Sequence, residues 1–161
     1  MKFFKAILMA VLLAIPLFAF ALTDDEQIEF MGAVGDGNVK VAQKYLDSGK
    51  AKVNDAYFAW TPLLTAASKD QLPMVKMLVE HGADLNFKHV VTKLTPLAYA
   101  VYDGNNAMVE YLLQKGADPN LKMKGGVSLV RAARYQGHED TAKLLMKNGA
   151  QDDGCKEEQC Y

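Results

Sequence analysis

An all-α fold, a short curved stack of about four helix–turn–helix units, is what this 161-residue sequence predicts, and two patterns held in register predict it. Four segments, GNVKVAQKYLDSGK, DQLPMVKMLVEHGAD, GNNAMVEYLLQKGAD and GHEDTAKLLMKNGAQ, vary one theme. Their closing glycines, Gly49, Gly82, Gly116 and Gly149, are 33, 34 and 33 residues apart. A second theme, TPLLTAA at Thr61, TPLAYAV at Thr95 and the weaker SLVRAAR at Ser128, begins 21 residues before its glycine in every case. Self-similarity at such a period marks a repeat architecture, in which each unit buries its apolar face only by stacking on the next.

The elements follow in chain order. Near LTDDEQIEF a first helix begins, with Thr23 or Asp24 as its cap and Asp24, Asp25 and Glu26 suited to its positive N-terminal end. In later units Thr61 or Thr95 caps a helix whose first position is proline, where the fixed backbone angle fits. Small residues, Ala66-Ala67 and Ala100-Val101, let that helix approach its neighbours, and a Gly37-Asn38, Gly104-Asn105 or Gly137-His138 turn ends it. The second helix carries an apolar face such as Val75, Leu78 and Val79, then stops at a glycine such as Gly82, which can turn left-handed there. GADLN and GADPN lead into a loop that returns to the next unit.

The T-P-L…A and G-A-D-x-N residues resemble the ankyrin-repeat family, from about Asp24 to Asp152. The resemblance implies an ankyrin-repeat solenoid of about four repeats, with a β-turn finger before each first helix. It divides the chain into an N-terminal capping repeat at 22–54, repeats at 55–87 and 88–120, a C-terminal repeat at 121–152 and a tail at 153–161. The first repeat, IEFMGAVGDGN, lacks the T-P start, and the last has Ser128-Leu129 in its place. Terminal repeats have a solvent face to hide and are expected to depart in this way. The loop from Phe87 to Leu94 is one residue longer than the period demands.

MKFFKAILMAVLLAIPLFAFA has the layout of a secretory signal peptide: Lys2 and Lys5 in front, an apolar run, and Ala19-Phe20-Ala21 as the cleavage site. The apolar run from Ala6 to Leu22 is 17 residues and Pro16 interrupts it, where a membrane-spanning helix wants about 20. Export without a stable membrane anchor, to the periplasm or medium, is therefore expected. Cleavage after Ala21 would remove two of 18 basic residues and leave 16 against 19 acidic ones, a formal charge of −3. That balance does not suit nucleic acid. In an exported chain Cys155 and Cys160 read first as a disulfide clip, worth roughly 2 kcal/mol to the tail alone on the chain-entropy argument. A redox-active pair is the alternative, disfavoured by C-x4-C spacing and by the neighbours Glu157, Glu158 and Gln159.

No catalytic constellation stands out. His81, His89 and His138 are not at metal-ligand spacing from one another or from a cysteine, and no G-x-S-x-G, phosphate-binding glycine loop or H-E-x-x-H occurs. The expectation is a protein that is not an enzyme and uses no metal or cofactor.

The resemblance instead implies binding of one protein partner by a concave face made of the fingers and the ends of the first helices. Carried over position by position, this face comprises Tyr57, Phe58, Trp60 and Lys69 in the second repeat. The third repeat adds Lys93, Leu94, Tyr102 and Asp103, and the fourth Lys124, Tyr135 and Gln136. Aromatic anchors among a few charges have the composition of an interface. The alternative is that the finger aromatics pack on the neighbouring finger. Exported bacterial ankyrin proteins include immunity-type proteins that restrain a cell-wall peptidase, and the resemblance implies such an inhibitor in the cell envelope. Some are associated with peroxide defence, which leaves an accessory role in oxidative stress as the second reading.

Overall fold

The computed structural model describes residues 22–154. The expected signal peptide at 1–21 and the Cys155/Cys160 pair lie outside the described residues. Within them the chain forms four helix pairs: α1 (Asp24–Gly35) and α2 (Val39–Asp47), α3 (Pro62–Ser68) and α4 (Leu72–Glu80), α5 (Pro96–Tyr102) and α6 (Asn106–Gln114), α7 (Leu129–Tyr135) and α8 (Glu139–Lys147). The first helices stack in one row, α1 on α3 on α5 on α7, while α2 packs on α4 and α6 on α8 behind them. The all-α repeat solenoid expected from the period is what the chain adopts.

The helix starts are capped as their sequences require. Thr23 and Glu26 form a reciprocal capping box on α1, with the Glu26 amide donating to Thr23 Oγ1 at 3.3 Å and the Thr23 amide to Glu26 Oε2 at 3.1 Å. Thr61, Thr95 and Ser128 each accept from an amide three residues on, and a proline opens α3 and α5. At the other end, Gly82 sits at φ +83 and the Ala83 amide reaches back to the Leu78 carbonyl at 3.1 Å. This six-residue closure needs a residue free of the left-handed penalty.

The core is periodic. Leu78, Leu112 and Leu145 are fully buried at one register position, and Ala66, Ala100 and Ala133 at another allow the first helices to close on one another. Truncating a leucine of this kind to alanine costs about 2–5 kcal/mol. In the last repeat Thr141 takes the place held by Met74 and Met108, and its hydroxyl donates to Asn106 Oδ1 at 2.7 Å, so the buried oxygen is satisfied.

The return loops are tied together by asparagines. Asn54 donates to the Gly82 carbonyl and accepts from the Asp84 amide; Asn120 does the same with Gly149 and Gln151 two repeats later. Asn86 accepts from the Asp118 amide at 2.9 Å. Past α8 the chain folds back on α7. Arg134 donates to both oxygens of Asp152, and the Ser128 hydroxyl donates to Asp153 at 2.8 Å.

Candidate functional site

The second finger is a two-residue hairpin. Tyr57 and Trp60 exchange backbone hydrogen bonds at 2.8 and 3.0 Å, and Phe58 and Ala59 between them sit at φ +52 and +71. A turn with two positive φ values matches the twist of paired strands and is usually built from Asn-Gly or Gly-Gly. Left-handed backbone costs an ordinary L-residue roughly 1–2 kcal/mol. The finger thus carries strain at its tip, and what it presents there is the Phe58 ring, 74% exposed.

Alternation along the hairpin sends its neighbours elsewhere. Tyr57, expected at the contact face, is 8% exposed and stands edge-on to Phe30 with ring centroids 5.7 Å apart. It belongs to the core over the first repeat, and burial pushes its hydroxyl pKa up. Trp60 is half-buried, its ring 4.8 Å from His89 and 5.9 Å from Tyr99, so its main contact is the next finger.

The third finger absorbs the extra residue as a four-residue loop. The His89 amide donates to the Leu94 carbonyl and the Lys93 amide to the His89 carbonyl, both at 2.9 Å, with Lys93 at φ +61. His89 is buried, and its Nδ1 accepts from the Thr92 amide at 3.3 Å. Val90 and Val91 stand out at the tip, 55% and 65% exposed. Neither valine was among the residues expected at the contact face; the one-residue excess between Phe87 and Leu94 was the signal that this loop bulges. Lys93 is exposed, whereas Leu94 is half-buried against the core. In the fourth finger the Met123 amide donates to the Val127 carbonyl at 3.0 Å, and exposed Lys124 opens a tight turn through Gly125 and Gly126.

Beside the fingers run the ends of the first helices. Lys69, Asp103 and Gln136 are their C-caps and are exposed. Tyr102 is half-buried, and its carbonyl accepts from His138 Nε2 at 3.0 Å. The histidine ring lies so close to Gly104 that a Cβ there would meet Nδ1 at 2.7 Å. Tyr135 holds the position of Tyr102 one repeat on, where no further repeat follows among the described residues, and is 69% exposed. Burial pushes the Asp103 carboxyl pKa up, the Asp70 charge adds to this, and His138 opposes it. Asp70 was also unforeseen. It stands at φ +56 where the equivalent residues are Gly37, Gly104 and Gly137, and it accepts from Asn105 Nδ2 at 2.5 Å.

Phe58, Lys69, Lys93, Asp103, Lys124, Tyr135 and Gln136 are therefore exposed; Trp60, Leu94 and Tyr102 are shared between surface and packing; Tyr57 is inside. Among the described residues no group of His, Cys, Asp and Glu could hold a metal ion, and no helix is long and apolar enough to cross a membrane. Such a surface can hold a complementary surface by shape and charge.

Residues 30–123 match the family described as ankyrin repeats, three copies. The chain is 38% identical over 122 residues to the ankyrin repeat and SAM domain-containing protein 6 of Rattus norvegicus, covering 74% of this chain and 14% of that one. It is 32% identical over 117 residues to the ankyrin repeat and KH domain-containing protein mask-1 of Caenorhabditis elegans, covering 73% and 4%. Against the ankyrin repeat, SAM and basic leucine zipper domain-containing protein 1 of Dasypus novemcinctus the figures are 27% identity over 132 residues, covering 80% and 28%. The chain thus spans under a third of the length of each of these relatives.

Proposed function

The chain belongs to the ankyrin-repeat family, whose members are protein–protein interaction modules, and from that premise we propose that it is an exported inhibitor of one envelope protein. Its partner is a hydrolase of the cell wall, such as a peptidase, and the chain restrains it as an immunity-type protein by seating its fingers over the mouth of the active site. The chain itself performs no catalysis and needs no cofactor. Export rests on the N-terminal pattern, Lys2 to Ala21.

One observation carries the binding role: Phe58, a large apolar ring 74% exposed, is held out on a turn whose backbone its own residue type disfavours. Strain of this kind persists where a site requires it. The second reading, an accessory of oxidative defence acting through Cys155 and Cys160, draws no support from the described surface.

Residues 22–161 titrated against purified cell-wall hydrolases test the proposal. One hydrolase should lose its activity at a one-to-one ratio, and a Phe58→Ser/Tyr135→Ala variant should leave that activity intact. Inhibition of none, or equal inhibition by the variant, would refute the reading.

A further inference from the structure

The fingers are electrically unlike the rest of the chain. Residues 55–60, 87–94 and 121–127, which follow the equivalent Asn54, Asn86 and Asn120, carry four lysines, Lys88, Lys93, Lys122 and Lys124, and a single carboxylate, Asp55, in a chain of net charge −1. None of these lysines is in an ion pair among the described residues. Between them project the three large apolar side chains of the finger tips, Phe58, Val90 and Val91. The contact of Trp60 with His89 holds the second and third fingers against each other, so the exposed apolar tips belong to adjoining fingers that also carry the lysines. The helix ends alongside have the opposite sign: Asp36, Asp70 and Asp103 follow three successive first helices, with Lys69 among them.

We infer that the fingers take an acidic polypeptide, whose carboxylates face the finger lysines around an apolar recess that receives Phe58 and covers Val90 and Val91. This rests on the binding-module reading and adds the chemistry of the partner. Complementary charge steers association and excludes partners of the wrong sign, while a desolvated aromatic anchor supplies holding strength. An anionic bilayer would also answer the lysines. It is flat and uniformly negative, however, and would set Asp36, Asp70 and Asp103 against like charge; a polypeptide can place cations there.

A random-peptide phage library panned on the immobilised protein tests this, followed by fluorescence anisotropy with the best selected peptide. Selected peptides should combine Asp and Glu with aromatic or aliphatic residues. Their affinity should fall with added salt, and by about tenfold or more both in Phe58→Ser and in Lys93→Glu/Lys122→Glu/Lys124→Glu. All four positions are exposed, so both variants should melt like the parent. Neutral or basic selections, no selection, or affinity indifferent to the lysine reversal would overturn the inference. So would cosedimentation with phosphatidylserine–phosphatidylcholine vesicles that Phe58→Ser abolishes, which would assign the fingers to a membrane surface. Hydrolase inhibition that survives the lysine reversal would leave the inhibitor reading standing without this one. Acidic-peptide binding by a protein that inhibits no hydrolase would do the reverse.

Discussion

The Trp60 ring lies 4.8 Å from that of His89, centroid to centroid, and this pair joins the second finger to the third. Trp60 is the chain's only tryptophan, so its fluorescence follows the junction directly. Trp60→Ala should cost about 2 kcal/mol, less than a fully buried tryptophan because part of the ring is solvated, but more than a surface aromatic. Urea unfolding followed by circular dichroism measures it. An unchanged midpoint would mean that Trp60 waits for a partner and packs on nothing.

Replacing Phe58-Ala59 by Asn-Gly should separate stability from binding. Asn-Gly is the preferred pair for a turn with two positive φ values, so the double variant should gain about 1 kcal/mol by relief of strain. It also removes the exposed ring and should lose the partner. A higher melting temperature together with lost binding is the expected pair of results; retained binding would relieve Phe58 of its role.

The C-terminal fold-back should open in acid. The hydrogen bonds from Arg134 hold the Asp152 carboxyl below the usual carboxylate range. Its contribution is therefore complete above its unfolded pKa and is lost as pH falls through the lower, folded value. The Gly154 amide donates to Asp152 Oδ1 at 3.1 Å and reports the event by NMR shift. Arg134→Gln should move that transition to higher pH.

His81 responds in the opposite direction. The Met77 carbonyl and Asp47 raise its pKa, so its tie between α4 and α2 is strongest below the ordinary histidine pKa and is lost as pH climbs through the raised one. Asp47→Asn should lower the His81 midpoint measured by NMR titration, without returning it fully to the ordinary value, because the Met77 carbonyl remains.

The asparagine ties between return loops should not be equal. Asn54 and Asn120 each make two side-chain bonds to the next loop, whereas Asn86 makes one. Alanine at 54 or 120 should cost about 1–2 kcal/mol, and at 86 about half of that. Chemical denaturation of the three variants compares them; equal costs would show that the bonds to Gly82 and Gly149 contribute little.

The helix pairs were legible because their signals are local. Threonine-proline starts, glycine stops and the apolar stripe between them act within a few residues, and the stacking partner of each helix is its own near-copy 33 residues on. The finger was legible as a place but not as an arrangement. Phe58-Ala59 carries no turn signature, and which of Tyr57, Phe58 and Trp60 points inward depends on the bridge between the first and last of them and on the room left beside Phe30. Asp70 escaped notice because the left-handed turn it occupies is glycine in the other repeats.

The closed frame of the third finger has a further consequence. Hydrogen bonds from His89 to Leu94 and from Lys93 to His89 seal the loop at its base, and the helices on either side keep their phase although the loop is one residue longer than its period. Thr92 is tied to His89 and to Tyr99 of α5, so the stack senses the base of this loop and Thr92, and the exposed tip, Val90 and Val91, is the free variable. Foreign sequence could be spliced between His89 and Thr92 as a cassette, and new specificity written there without re-solving the packing of a single helix.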